Sequence, residues 1–249
     1  MGFTQKQKSE IYEAGYTVLR DFVPPELVAR ARKAINHSMG EGIDPANLPI
    51  LRAQTYCPEL KASTVITDLF NATEAPKLAE SVLGEGTFEM PTGAQIALRF
   101  PRADEDLPAF RPHLDRLPTM TNGVASGTIG SFTALVGVLL SDLPESNSGN
   151  FTVLPGTHRS TAAYFKEHGP QSFLEGFPNI DQPEPVQITG KAGDMVFCHY
   201  QVGHGIAPNI SPNIRYAVFF RLTHRNHSQD IEGRLIDIWR DWSGMSEFA

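Results

Sequence analysis

Cysteine is scarce: Cys57 and Cys198 are the whole complement of a 249-residue chain. A secreted disulfide scaffold would use more, so both are expected to be reduced and buried. A basic excess is also missing. The formal net charge is −7, with no Lys/Arg cluster, which makes a polyanionic nucleic acid a poor partner. No apolar run approaches the roughly 20 residues of a membrane helix. The opening Gly2-Phe3-Thr4-Gln5-Lys6 is polar and leads into a helical pattern, not a signal peptide. Repeats and low-complexity linkers are absent as well. These absences favour a cytoplasmic protein that acts on small molecules; oligomeric state is not legible.

What is there suits a globular fold. Apolar residues make up 41 %, including 15 Phe, enough for a sizeable core. The 21 Gly and 19 Pro suit a β-rich fold with frequent turns. Thr4 caps an expected helix through Ala14, Gly15 ends it, and Tyr16–Arg20 reads as a strand. Pro25–Met39 carries Leu27, Val28, Ala31 and Ile35 at helical spacing. Further helices are expected near Thr64–Phe70 and Ala75–Leu83. From Phe88 the pattern changes to short apolar or alternating runs at Gly93–Phe100, Ser131–Ser141, Asn150–Leu154, Val186–Thr189, Met195–Tyr200 and Arg215–Thr223. Strands at this spacing imply a sandwich or barrel. The tail Ile231–Trp242 reads as a helix with Ile231, Leu235, Ile238 and Trp242 on one face. The expectation is a mainly β fold with flanking helices, a cupin-like double-stranded β-helix (jelly roll). It would form one domain over 1–249: a helical part about 1–85, a jelly-roll core about 86–225 and a helical tail.

Two segments carry chemistry. In Phe110-Arg111-Pro112-His113-Leu114-Asp115, alternation along an extended strand would send His113 and Asp115 the same way. Two imidazoles and one carboxylate on one octahedral face suit ferrous iron and leave positions open for reactants. The third ligand must come from a distant strand. His204 supplies it if the fold brings Gly203-His204-Gly205 alongside; His199, read as lying on the same strand, competes with it. Arg215 opens an alternating run with Ala217 and Phe219 on its side. A guanidinium inside an apolar barrel needs a carboxylate partner, which the distal carboxylate of 2-oxoglutarate would provide.

These residues, taken in order, resemble the phytanoyl-CoA dioxygenase family of Fe(II)/2-oxoglutarate oxygenases. Gly15–Phe22 resembles that family's opening strand. His113-x-Asp115, the turn Pro155-Gly156-Thr157-His158 after Ser148-Gly149, Gly193-Asp194, and the block from His204 to Arg215 follow it in sequence. The likeness spans most of the chain. It implies His113, Asp115 and His204 as iron ligands and Arg215 as the grip on 2-oxoglutarate. It also implies Gln95 as a polar neighbour of that co-substrate. The reaction implied is hydroxylation of a small organic substrate, with O2 and 2-oxoglutarate consumed and succinate and CO2 released. An acid at Asp115 points to hydroxylation, since related halogenases have Gly or Ala there. The chain departs from the family at Ser148, where Asn is common, and at Leu135–Val138, where a Trp is often found. No particular substrate carries over.

Other polar residues have plainer readings. His158 is expected to bond near its turn, Cys198 to pack, and Arg99 and Arg111 to be solvated rim residues, with an anion-greeting role as the alternative. His224 and His227 are a polar rim or a solvated loop. The walls of the substrate pocket would come from the N-terminal helices and from Arg102–Leu107, Leu117–Gly130 and Ala163–Gln182. Two rival functions remain: a cupin-type metal enzyme that does not use 2-oxoglutarate, and a non-catalytic jelly-roll binding protein.

Overall fold

The computed structural model describes residues 2–103 and 107–248. Five antiparallel strands form the larger sheet, in the order β1 (Tyr16–Leu19), β6 (Met195–His199), β3 (Ala134–Leu139), β8 (Arg215–Leu222) and β2 (Gln95–Arg99). A smaller antiparallel sheet faces it, ordered β5 (Val186–Gln187), β4 (Phe151–Val153) and β7 (His204–Ile206). The two sheets and the helices outside them match the expected jelly roll.

Alternation along the strands divides the interior. On the larger sheet, Ile96, Leu98, Val136, Val138, Val218, Phe220 and Leu222 face outward under the helices. There they meet α1 (Gln5–Ala14), α2 (Pro25–Gly40), α4 (Thr64–Asn71) and α5 (Ala75–Leu83). The apolar stripe of α2 (Val28, Ala31, Ile35) and that of α5 (Leu78, Ala79, Val82, Leu83) are buried on this layer. Phe220 is fully covered; such a side chain contributes about 1.5–3 kcal/mol by leaving water. The opposite residues, Leu135, Leu139, Val196, Cys198, Ala217 and Phe219, face the smaller sheet and form a second core with Phe151 and Val153. Gln95, Arg99, Arg215 and Arg221 occupy strand positions in phase with that inner face.

Several expectations need correcting. The His113-x-Asp115 segment is not a regular strand; His113 forms an isolated bridge with His204, and the chain turns at Asp115. His199 and His204 do not share a strand: they lie on β6 and β7, in different sheets. The Pro155–His158 turn continues as a helix, α6 (Thr157–His168), followed by a 3-10 turn over Pro170–Glu175. A short α3 (Leu48–Ala53) was also unforeseen. The tail helix, α7 (Ile231–Ile236), stops well before Trp242. Beyond it the chain turns so that Trp242 packs against Phe197 and the ring of His199. A continuous helix would not allow that burial. Both cysteines are free and buried, as expected.

Candidate metal centre and its cavity

β7 and the loop before Asp115 are joined by reciprocal backbone bonds. His113 N donates to His204 O (2.8 Å), and His204 N donates to His113 O (3.1 Å). This bridge sets the two imidazoles side by side, with ring centroids 4.6 Å apart. Gly205 keeps room for it: a Cβ there would lie 2.8 Å from the ring of Phe110 and 3.2 Å from Arg111 O. Asp115 Oδ1 lies 3.6 Å from His113 Nε2 and 3.5 Å from His204 Nε2. One ligand atom from each of the three residues falls within 4.8 Å of the others. Ligand atoms on one ion sit about 3 Å apart at right angles, given bonds of about 2 Å. The two Asp115 distances exceed that spacing by roughly half an ångström, so the three groups converge on one point where a cation would draw them together. His204 Nδ1 donates to Val202 O at 2.9 Å, which leaves the Nε2 lone pair facing Asp115, as a metal ligand requires.

Asp115 Oδ2 is engaged elsewhere. Arg221 Nε lies 2.9 Å and its Nη2 2.7 Å from that oxygen, and Nη2 also donates to Gln95 Oε1 at 2.9 Å. Burial works to raise the Asp115 pKa. The Arg221 guanidinium, with the two neighbouring imidazoles adding to its effect, outweighs it and holds the carboxyl well below its usual value. Protein surrounding the His113 ring lowers its pKa, and His204 and Arg221 add to this against the pull of Asp115. Solvent still reaches the outer edge of that ring: 48 % of the His113 side chain is exposed, against 6 % for His204.

Arg215 is fully buried. Its Nε donates to Gly149 O (2.7 Å) and its Nη1 to Ala97 O (3.0 Å), while Nη2 is buried without a partner. It pairs in register with Arg99 across β8 and β2, and the Cβ atoms of both would meet any Cβ on Gly149. Burial, then the Arg99 cation, brings the Arg215 pKa down to about 9. Two guanidiniums lie side by side with no carboxylate partner among the described residues. A buried cation with an open donor makes a socket for an anion.

A cavity of about 980 Å3 opens over the His113, Asp115 and His204 side chains; Arg99 lines it, and Arg215 is not among its lining residues. Its inner part includes Gln95, Ala97, Arg99, Leu135 and Phe219, and His113, Asp115 and His204 lie at its floor. The walls come from Pro49 and Arg52–Thr55, from Glu89–Ala94, and from Leu117, Thr119, Thr121, Asn122 and Val124. The expected wall Ala163–Gln182 is not among the lining; α6 and the turn after it pack elsewhere. Of Arg102–Leu107, residues 104–106 lie outside the described residues.

Sequence reasoning on the remaining histidines fares unevenly. His199 points from β6 toward Trp239 and Trp242, with Nε2 on Ile238 O (3.0 Å), so it is no ligand of this centre. His158 is structural as expected, its Nε2 3.0 Å from Tyr12 O. His227 is not solvated: it is buried, 2.8 Å from Asp241, which Arg234 also contacts. Arg111 is exposed, but Arg99 lines the cavity instead of the rim. Arg221 was missed. Its signal was available, since counting by twos from Arg215 through Ala217 and Phe219 arrives at Arg221.

The sequence profile of the phytanoyl-CoA dioxygenase (PhyH) family matches residues 11–217. The chain belongs to that family. It is therefore an Fe(II)- and 2-oxoglutarate-dependent oxygenase, with ferrous iron as cofactor and 2-oxoglutarate and O2 as co-substrates. Human peroxisomal phytanoyl-CoA dioxygenase is 24 % identical over 250 residues, covering 92 % of this chain and 71 % of the human protein. The Bos taurus protein is 23 % identical over 248 residues, with the same coverage. Among solved folds, the 2-oxoglutarate-dependent epimerase SnoN of nogalamycin biosynthesis superposes with a TM-score of 0.62 at 19 % identity, covering 88 % of this chain and 82 % of that one. EctD from S. alaskensis, solved with 2-oxoglutarate and 5-hydroxyectoine, gives 0.59 at 22 % identity over 89 % and 76 % of the two chains. The family membership and the fold agree with each other. No helix of the described residues is long and apolar enough to cross a membrane.

Proposed function

We propose that His113, Asp115 and His204 hold the iron, that Arg215 receives the distal carboxylate of 2-oxoglutarate, and that the enzyme hydroxylates a small organic molecule bound over the exposed edge of His113. The unpartnered Nη2 of buried Arg215 carries this reading, because an anion is what that donor lacks. The donor set at the centre also fits: two imidazole nitrogens and one carboxylate oxygen converge, and Asp115 keeps Oδ1 free by giving Oδ2 to Arg221. When bound, iron and 2-oxoglutarate supply the oxidising chemistry, in which O2 is divided between succinate and the hydroxylated product as CO2 leaves.

The chain's own residues prepare the site. Val202 O fixes the His204 tautomer, Arg221 fixes the Asp115 rotamer, and Leu135, Phe151 and Phe219 give the inner slot apolar sides. Gln95 serves as the brace of Arg221 through its Oε1, and its amide nitrogen is left to face the co-substrate. The whole chain is proposed to act as one catalytic unit, because both cores share the larger sheet. A cytoplasmic setting suits the two free cysteines.

Oxygen-dependent release of labelled CO2 from 2-oxoglutarate labelled at its first carbon tests the reading. Wild type reconstituted anaerobically with iron should release it, and Asp115→Ala should lose the activity by about a hundredfold or more. Turnover unchanged in Asp115→Ala would remove these ligands. Iron bound without any such release would favour a cupin-type enzyme that makes no use of 2-oxoglutarate.

A further inference from the structure

We infer that Tyr56 is a second holder of the co-substrate: its phenol, with Arg215, donates to the distal carboxylate of 2-oxoglutarate and so selects a 2-oxo acid with a carboxylate at both ends. This rests on the Arg215 reading above and extends it to a residue from outside the two sheets.

The observation is a second orphaned donor. Tyr56 is 1 % exposed, and its hydroxyl, like Arg215 Nη2, is buried without a partner. A phenylalanine would fill almost the same volume and pack on Phe100, whose ring meets that of Tyr56 edge-on with centroids 5.9 Å apart. The hydroxyl therefore adds nothing to the core. It costs the water it has lost, unless a ligand supplies an acceptor.

Both orphans are fixed to one stretch of β2. That strand is an edge of the larger sheet, and Thr55 and Tyr56 are stitched to its open side. Tyr56 N donates to Ile96 O (2.9 Å), Ile96 N to Thr55 Oγ1 (2.9 Å), and Thr55 Oγ1 to Tyr56 O (2.8 Å). From that anchor the Tyr56 ring reaches along the strand to Phe100. Arg215 comes to the same stretch from β8, with Nη1 on Ala97 O and its backbone opposite Arg99. The ring and the guanidinium thus share the Arg99 end of β2, where the phenol acts electrostatically on both Arg99 and Arg215. Their neighbours Thr55, Ala97 and Arg99 line the cavity. A carboxylate has two oxygens, each able to accept more than one hydrogen bond. One bound there meets both orphans at once, the guanidinium by charge and the phenol by direction. A methyl group in its place would leave both donors unmet, so the site rejects it.

The test uses protein loaded with Zn2+, which is redox-inert. Two acids are titrated by calorimetry: 2-oxoglutarate, and 2-oxopentanoate, which keeps the 2-oxo acid end but has a methyl in place of the distal carboxylate. Wild type should bind 2-oxoglutarate the more tightly. Tyr56→Phe keeps the ring and loses only the hydroxyl; it should weaken 2-oxoglutarate by about tenfold and leave 2-oxopentanoate unchanged. Thermal unfolding supplies a second readout. Without co-substrate, Tyr56→Phe should be at least as stable as wild type, because it removes an unmet donor; with 2-oxoglutarate it should gain less. In the iron-loaded enzyme the half-saturating 2-oxoglutarate concentration should rise by a similar factor, with turnover at saturation kept. Undiminished 2-oxoglutarate affinity in Tyr56→Phe overturns the inference. An equal loss for both acids, with lower stability of the ligand-free protein, also overturns it and marks a packing role. Failure of the Arg215 reading looks different: wild type itself would not prefer 2-oxoglutarate over 2-oxopentanoate, and the role of Tyr56 would fall with it.

Discussion

At Asp115 the two carboxylate oxygens have different surroundings, Oδ1 toward the imidazoles and Oδ2 toward Arg221. Arg221 is itself held by Gln95 and lies 5.8 Å from the Phe132 ring centroid, so its fork is braced on two sides. This arrangement favours one-oxygen ligation and keeps the acid ionised through mildly acidic pH. Arg221→Gln should weaken iron or Mn2+ affinity by about 10–100-fold, as loss of a partner that orients a ligand does elsewhere. Anaerobic competition with a fluorescent chelator measures this, and Arg221→Lys, which keeps the charge but loses the fork, should recover only part of it. An unchanged metal affinity in Arg221→Gln would leave the guanidinium as a packing group.

Among the elements, the β2–β8 pair matters most, because its register sets Gln95 opposite Phe219 and Arg99 opposite Arg215. Gly149 lies across the end of that pair at φ +77°, with its carbonyl on Arg215 Nε. A Cβ there would come within 2.9 Å of Arg99 Cβ and 3.2 Å of Arg215 Cβ. Gly149→Ala should therefore raise the half-saturating 2-oxoglutarate concentration by about tenfold and cost about 1–2 kcal/mol of stability; titration of 2-oxoglutarate and a urea curve on one preparation read both. Strand β8 was legible because apolar and charged residues alternate along it, and α2, α4 and α5 because their apolar residues recur at helical spacing. Helix α6 was hidden for the opposite reason. Its buried face includes Thr157, His158 and Thr161, polar residues that break the pattern, and its start follows a Pro-Gly pair that reads as a turn. Short α3 buries no residue, so it left no stripe to find. The tail was overextended because Trp242 fits a helical face in sequence, although its burial depends on the chain turning after Ile236.

For the molecule as a whole, the sensitive groups are buried imidazoles away from the cavity. Burial pushes the pKa of His199 down to about 4 and that of His158 well below its ordinary value. Their rings lie 5.3 Å apart beside Trp239, and neither has an acid partner among the described residues. The unfolded chain takes these protons near pH 6.5 and the folded one resists them, so stability is full above about pH 6.5 and falls as pH drops toward 4. For His199 alone the loss is about 3 kcal/mol. Urea midpoints at neutral and mildly acid pH should show the fall, and His199→Gln should flatten it; an equal slope in that variant would place the acid sensitivity elsewhere. The sequence could name His199 but not its role, because only the fold decides which face of β6 it takes. The same is true of the centre, where the chain order marked His113, Asp115 and His204 while the bridge that joins them is tertiary. That bridge leaves one imidazole in the open and the other two proposed ligands largely covered. An ion held by the three proposed ligands would come and go past a single ring, and occupancy would become a matter of handling. What a preparation does on a given day would record its history with chelators, trace metals and air as much as its amino acids.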